Sequence, residues 1–423
     1  MKKPTLAVLF GGCSPEYSVS LQSSYAVLSN LNPDRYTVLP VGITQSGQWF
    51  HYTGAYDRIA TDSWAEDPGC LTPVVVSQDR SVHGLLAFSA PRHQVIQVDY
   101  ALPILHGKNG EDGTVQGLLE LAGIPVVGCG TLASALCMDK DRAHKLASLA
   151  GVAVPASLVL KLGEDPQAAV DFARQTGYPL FVKPVKAGSS YGISQIHQEE
   201  ELLPALDLAF QYDNQVILEE TIPGFEVGCA VIGTRELLVG EIDEIELSGG
   251  FFDFTEKYTL KTSAIHVPAR VDPQTAQAVK QTAKVLYRAL GCAGFARVDL
   301  FLTPQGKIVF NEINTIPGFT EHSRFPGGPA AGQPFLSPPS PPPSGPGHSG
   351  GHGHSLGAPG RPGLRQPDGR HRRLEGDCAR QRLAGAGRAA GHLGGLPGGK
   401  RPPLYPDLRS ISRPQRASDR PGH

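Results

Sequence analysis

Over the first 326 residues, short unbroken apolar runs alternate with stretches whose apolar positions recur at helical spacing. The run Thr5–Phe10 closes on Gly11-Gly12, which predicts a buried strand followed by a turn. Helical spacing from about Ser18 to Leu31 and a second apolar run, Thr37–Ile43, complete a β-loop-α-β unit of an open parallel sheet. Val98–Ile104 reads as another strand and Gly113–Ala122 as a helix. A second block opens near Thr131, with a helix from Asp139 to Ala150 stopped at Gly151. It continues with strand Leu180–Pro184, a Gly/Ser turn, helix Glu199–Phe210 and strand Gln215–Glu220. A third block begins at Pro223. Its pattern predicts strands near Glu226–Val231 and Leu237–Ile245, a long loop Ser248–Ser263, helix Pro273–Leu290, and strands around Ala296–Leu302 and Lys307–Glu312. The predicted domains are 1–130, 131–220 and 221–326.

The pattern stops near Pro326. There is no Val after Val309, Ile411 is the only Ile after Ile316, and Lys400 the only Lys after Lys307, while Pro, Gly and Arg abound. A segment without β-branched apolar residues has little with which to build a core, so 327–423 is predicted to be disordered. A Pro-rich linker and a shifted reading frame in GC-rich DNA both produce such sequence, and the Arg load favours the second. The stretch GHSGGHGHS at 347–355 has metal-binding residues but reads as unstructured.

Charge and cysteine content narrow the classes. The chain has 423 residues, 40% of them hydrophobic, and a net charge of -2. That is enough apolar material for two or three cores, with no global field for nucleic acid or membrane. The seven Cys form no CxxC pair, which argues against a zinc or disulfide framework and suits a reducing cytoplasm. Two Lys precede the first apolar run as in a signal peptide, but the run ends at Gly11 and reads as a strand. No run approaches the length of a membrane span.

Three constellations carry chemistry. In Arg297-Val298-Asp299 and Asn311-Glu312-Ile313-Asn314, alternation puts Arg297 and Asp299 on one strand face, and Glu312 and Asn314 on one face of the next. A hairpin through Thr303–Gly306 would bring Asp299, Glu312 and Asn314 together. Such hard oxygen ligands suit Mg2+ or Mn2+ bridging nucleotide phosphates; the bland alternative is a solvated hairpin face. Lys183 closes a buried strand and precedes Gly188-Ser189-Ser190-Tyr191-Gly192, a point charge beside a loop able to wrap phosphate oxygens. Lys140 opens a helix and, taken alone, is an ordinary surface Lys. The acidic hinge runs from Glu219 to Glu226. Glu219 there suits an adenine amino group through its backbone neighbours and Glu226 suits ribose hydroxyls, although the segment equally suits a plain turn.

Together these resemble the ATP-grasp superfamily. The segments Leu9–Glu16, Leu105–Gly113, Lys257-Tyr258 and Asn314–Thr320 narrow the resemblance to the D-alanine–D-alanine ligase family, from about Thr5 to Pro326. Met138–Lys145 and Glu256–Lys261 resemble its D-alanine–D-serine branch. The resemblance implies an ATP-grasp fold, α/β and α+β, preceded by an open parallel α/β domain. It implies a cytoplasmic homodimer that uses ATP and two Mg2+ or Mn2+ ions to join D-alanine to a second D-amino acid through D-alanyl phosphate. Glu16, Ser189 and Tyr258 would form a hydrogen-bonded set, and Arg297 and the Gly318 N–H would hold the oxyanion. His106, Lys257 and Ser323 would meet substrates, with Lys140, Lys183, Glu219 and Glu226 around ATP. Family members continue past Pro326 with an amphipathic helical segment, which this sequence lacks. Another ATP-grasp ligase or carboxylase would lack the Gly11–Ser20 and His106–Gly113 segments. A non-catalytic product damaged by its tail is the remaining alternative.

Overall fold

The computed structural model describes residues 2–89, 92–247, 263–320 and 323–325. The predicted tail 327–423 and most of the predicted loop Ser248–Ser263, with Lys257 and Tyr258, lie outside them.

The first sheet has strands β1 (Thr5–Gly11), β2 (Thr37–Ile43), β3 (Trp49–Tyr52), β4 (Leu71–Val76), β5 (Gly84–Ser89), β6 (Arg92–Gln97) and β7 (Tyr100–Pro103), in the order β6-β5-β4-β3-β2-β1-β7. β1 runs parallel to β2 and β7, as the β-loop-α-β pattern requires. β3 to β6 extend the sheet as an antiparallel meander that the periodicity did not disclose. Helix Tyr17–Asn30 covers β1, burying Tyr17, Leu21 and Leu28 against Phe10, Trp64 and Ile104.

The second sheet contains β8 (Ser157–Lys161), β9 (Leu180–Pro184), β10 (Ser194–Ile196) and β11 (Gln215–Glu220), in the order β10-β9-β11-β8. Helices Gln167–Thr176 and Leu202–Ala209 pack on it through Val170, Ala173, Leu202 and Leu206. The third sheet contains β12 (Phe225–Ile232), β13 (Leu238–Leu247), β14 (Ser263–His266), β15 (Phe295–Leu302) and β16 (Ile308–Asn314), in the order β14-β13-β12-β15-β16. Helix Pro273–Ala289 lies on it because Val279, Ala283, Leu286 and Tyr287 share one face. Asp272 caps its start by accepting from the Gln274 and Thr275 N–H groups, and Pro273 needs no partner there. Leu286 is fully buried, which contributes about 2 kcal/mol.

The segment that precedes β8 meets the third sheet where the Phe310 N–H donates to the Ala153 carbonyl at 2.8 Å. Among the described residues no helix is long and apolar enough to cross a membrane. Six of the seven Cys are described, all as free thiols.

Candidate active site

Two neighbouring cavities carry the polar residues. The larger, about 430 Å³, is lined by Lys140, Lys183, Ser189, Glu219, Glu226 and Glu312 among others. β9 and β11 pair so that Ile217 faces Lys183, setting Lys183 and Glu219 on the same sheet face. The Lys183 ammonium donates to Glu219 Oε2 at 2.6 Å. Burial pushes the Glu219 carboxyl up, but Lys183, then His144 and Lys140, outweigh this and hold it below its ordinary range. Lys140 is the first residue of helix Lys140–Leu149, capped by Asp139, whose Oδ1 accepts the Arg142 N–H at 3.0 Å. Its own ammonium donates to the Ala187 carbonyl at 2.8 Å and lies 4.0 Å from Glu312.

The hairpin β15–β16 pairs Arg297 with Asn314 and Asp299 with Glu312, with a bulge between Asp299 and Leu300. Gly306 N–H donates to the Thr303 carbonyl across the turn. Asp299 is buried and already engaged. Arg297 donates to it at 2.8 and 2.7 Å, Asn314 at 2.8 Å, and Arg324 lies 3.4 Å away. Glu312 opens onto the larger cavity. No three His, Cys, Asp or Glu among the described residues form a preassembled metal cage. Two carboxylates and an amide oxygen beside a phosphate-sized space nonetheless fit Mg2+, which takes few protein ligands and completes its shell with phosphate and water.

The smaller cavity, about 80 Å³, is lined by Glu16, His106, Ser189, Arg297, Gly318 and Ser323, together with Glu111 and Arg324. It thus brings together most of the residues expected around the reacting carboxyl. Ser189 donates a short hydrogen bond to Glu16. Gly107 lies so close that a Cβ there would stand 2.0 Å from Glu16 Oε2, and its φ of +73° also demands glycine. His106 is buried beside Ser23 Oγ at 3.0 Å. Burial lowers its pKa to about 4, Arg297 adds to the effect, and a hydrogen bond with the Ile316 backbone opposes it. Ser323 Oγ lies 2.8 Å from Thr320 Oγ1, and a Cβ on Gly318 would meet that Ser323 oxygen at 2.5 Å.

Two polar residues of this cavity were not singled out by sequence reasoning. Glu111 joins two loops, accepting the Gly107 N–H at 2.8 Å and the Ile316 N–H at 3.2 Å. Burial, then the charge of Glu16, pushes its carboxyl up to about 8. In sequence it is one acid in a Gly-rich stretch, and nothing marks it as buried. Arg324 pairs with Asp243 at 2.5 Å and makes a short contact with Glu226. Glu226 borders the larger cavity but is thus also tied to Arg324. These partners sit on strands some eighty to a hundred positions away, so local pattern gives no sign of them.

Comparison with known proteins agrees with this geometry. The family model described as "D-ala D-ala ligase N-terminus" matches residues 5–129, and "D-ala D-ala ligase C-terminus" matches residues 146–332. Vancomycin B-type resistance protein VanB of Enterococcus faecalis is 43% identical over 331 residues, covering 77% of this chain and 93% of that protein. The D-alanine–D-alanine ligase of Caldicellulosiruptor bescii is 41% identical, covering 77% and 90%. The crystal structure of VanG D-Ala:D-Ser ligase from Enterococcus faecalis is 57% identical with a TM-score of 0.72, covering 77% of this chain and 94% of that one. Fold, cavities and sequence together place this chain in the D-alanine–D-alanine ligase family, with its ATP-grasp architecture.

Proposed function

We propose that the protein uses ATP to join D-alanine to a second D-amino acid, supplying a precursor of peptidoglycan in the cytoplasm. The observation that carries this is the shared wall. Gly188 and Ser189 border both cavities, so a phosphoryl donor in the larger one lies next to a carboxylate in the smaller one.

In the larger cavity Lys140 and Lys183 offer charge to phosphates, Glu219 lies at the adenine end and Glu226 accepts from the ribose. Asp299, Glu312 and Asn314 would hold two Mg2+ or Mn2+ ions, which when bound neutralise charge on the transferring phosphoryl group. In the smaller cavity Glu16, fixed by Ser189, takes the ammonium of the first D-alanine. A carboxylate oxygen of that D-alanine attacks the γ-phosphorus of ATP, giving D-alanyl phosphate, and ADP leaves. The amine of the second substrate then attacks the acyl carbon, phosphate leaves, and the amine proton is lost. Arg297 and the Gly318 N–H stabilise the oxyanion of that step. His106 stays neutral and donates without adding charge, and Ser323 takes the second carboxylate. Lys257 and Tyr258, outside the described residues, belong to the same reading as substrate-contacting groups. The family resemblance supports a homodimer.

D-alanine is the primary reading for the second substrate. D-serine is a specific second reading, favoured by the 57% identity to a D-Ala:D-Ser ligase. Incubation with ATP, Mg2+ and D-alanine, followed by ADP assay and mass spectrometry of the product, tests the proposal. A protein that makes neither ADP nor dipeptide in a D-alanine-dependent way overturns it.

A further inference from the structure

We infer that His144 is a positioning residue of the nucleotide cavity, tying Glu219, the partner of Lys183, to the strand that carries Glu312. The inference rests on the reading that the larger cavity takes ATP.

His144 lies one helical turn after Lys140, so the two point from the same face of helix Lys140–Leu149. It is buried, at 3% exposure, and does not itself line the cavity. Its ring packs edge-on against Phe310 at 5.6 Å and 76°. Nε2 lies 3.0 Å from the backbone carbonyl of Asn311. A carbonyl only accepts, so Nε2 carries the hydrogen and donates it. Nδ1 lies 3.8 Å from Glu219 Oε1. Among the described residues neither of these two atoms has a hydrogen-bond partner. The other oxygen of Glu219 holds Lys183.

Three elements therefore meet at one imidazole: the helix of Lys140, strand β11 through Glu219, and strand β16 through Asn311. Lys183, Glu219, Asn311 and Glu312 all line the cavity, and they come from two different sheets. A ring kept only to fill space beside Phe310 would be better served by an apolar residue, because burying imidazole nitrogens costs free energy unless they are used. Here Nε2 donates to the Asn311 carbonyl, and Nδ1, at ion-pair distance from Glu219, attracts that carboxylate when it also carries a hydrogen. Without the imidazole, Glu219 loses what faces its second oxygen, and the Lys183 ammonium loses a rigid anchor.

The test uses the full chain, with ADP plus Mg2+ as the probe in isothermal titration, alongside KM for D-alanine and thermal melting. His144→Phe keeps the ring and removes both nitrogens. It should weaken ADP binding about tenfold, the scale of the lost Asn311 hydrogen bond, and leave KM for D-alanine within about twofold. His144→Gln keeps a donor for Asn311 and should bind ADP only about threefold more weakly than the parent protein. Unchanged ADP affinity in His144→Phe overturns the inference. So does an equal loss for ADP and D-alanine together with a collapsed melting temperature, which makes His144 a packing residue. If His144→Phe does not fold, His144→Gln decides, and parental affinity there overturns the inference. Absence of ADP binding by the parent protein instead rejects the ATP reading of the cavity, and the inference falls with it.

Discussion

His106 and Glu111 face the same small cavity, and burial acts on them in opposite senses because one is charged when protonated and the other when deprotonated. The His106 pKa falls to about 4 in the folded chain. Between that value and the unfolded value near 6.5 the unfolded state binds the extra proton. The neutral ring therefore contributes stability in full above 6.5, and this is lost as pH falls through 4, a loss of about 3 kcal/mol. Urea unfolding of His106→Gln should show a flatter pH dependence between 4 and 6.5 than the parent protein, and an unchanged slope there contradicts the burial argument. Glu111 behaves in reverse. Its pKa is raised to about 8, so the stability it contributes is present below about 4.5 and is lost as pH rises through 8. At the same scale, Glu312 is the ligand candidate that opens to the larger cavity, and Glu312→Gln should reduce turnover by about a thousandfold or more while the fold survives. Near-normal ADP production by that variant at saturating Mg2+ removes Glu312 from the metal site. These side chains differ in how legible they were. Arg297, Asp299, Glu312 and Asn314 announce themselves because four polar residues on alternate positions of two apolar strands need a reason. Glu111 and Arg324 do not, since their burial comes from loops and strands distant in sequence.

Well-patterned elements were mostly legible whatever their length, although helix Gln167–Thr176 was not predicted. Strands Leu180–Pro184 and Gln215–Glu220 have the predicted bounds because each is an unbroken apolar run between turn residues. Helix Pro273–Ala289 announced itself through an N-cap Asp, a Pro at the first turn and a single apolar face. The meander β3 to β6 was missed because its strands are only partly buried and their apolar positions follow no clean alternation. The bulge that leaves Asn311 of β16 unpaired between Asp299 and Leu300 is also invisible in the sequence, yet it shifts the register of the strand that bears Glu312. The start of helix Lys140–Leu149 offers a test of how an element positions a site. Asp139 caps it, and the Lys140 N–H is further held by the Val185 carbonyl at 3.2 Å. Asp139→Ala should cost about 1 kcal/mol in urea unfolding and, by fraying the first turn, weaken nucleotide binding through Lys140. Loss of stability with unchanged ADP affinity would separate the cap from the site.

At the scale of the whole chain, the relatives cover 77% of it and the family models end at residue 332, close to where apolar patterning stops. A chain stopped at Pro326 should therefore match the full chain in activity, and match or exceed it in solubility. Failure of that shorter chain to fold would make 327–423 structural. The second substrate is a property of the same scale, because the proposed reading draws on the small cavity and on residues far apart in sequence. The product should be an amide and not the D-alanyl-D-lactate ester. Lys257 and Tyr258 resemble the amide-forming pattern of the family. An amino acid arrives as an ammonium at neutral pH, so an amide-forming site must accept that charge and let the proton leave before attack. Choice between D-alanine and D-serine is subtler. They differ by one hydroxyl, and a pocket that merely tolerates a hydroxyl discriminates only about a hundredfold, whereas one that hydrogen-bonds it discriminates far more strongly. Arg324 and Ser323, both bordering the small cavity, are donors of the kind that would reward the extra oxygen. Equimolar D-alanine, D-serine and D-lactate should be offered at pH 7 with ATP and Mg2+, and the products read by mass spectrometry. A dominant depsipeptide contradicts the loop argument. Dominant D-alanyl-D-serine keeps it and puts the enzyme with the D-serine branch, and dominant D-alanyl-D-alanine keeps it while showing that the polar groups beside Ser323 do not select for the hydroxyl.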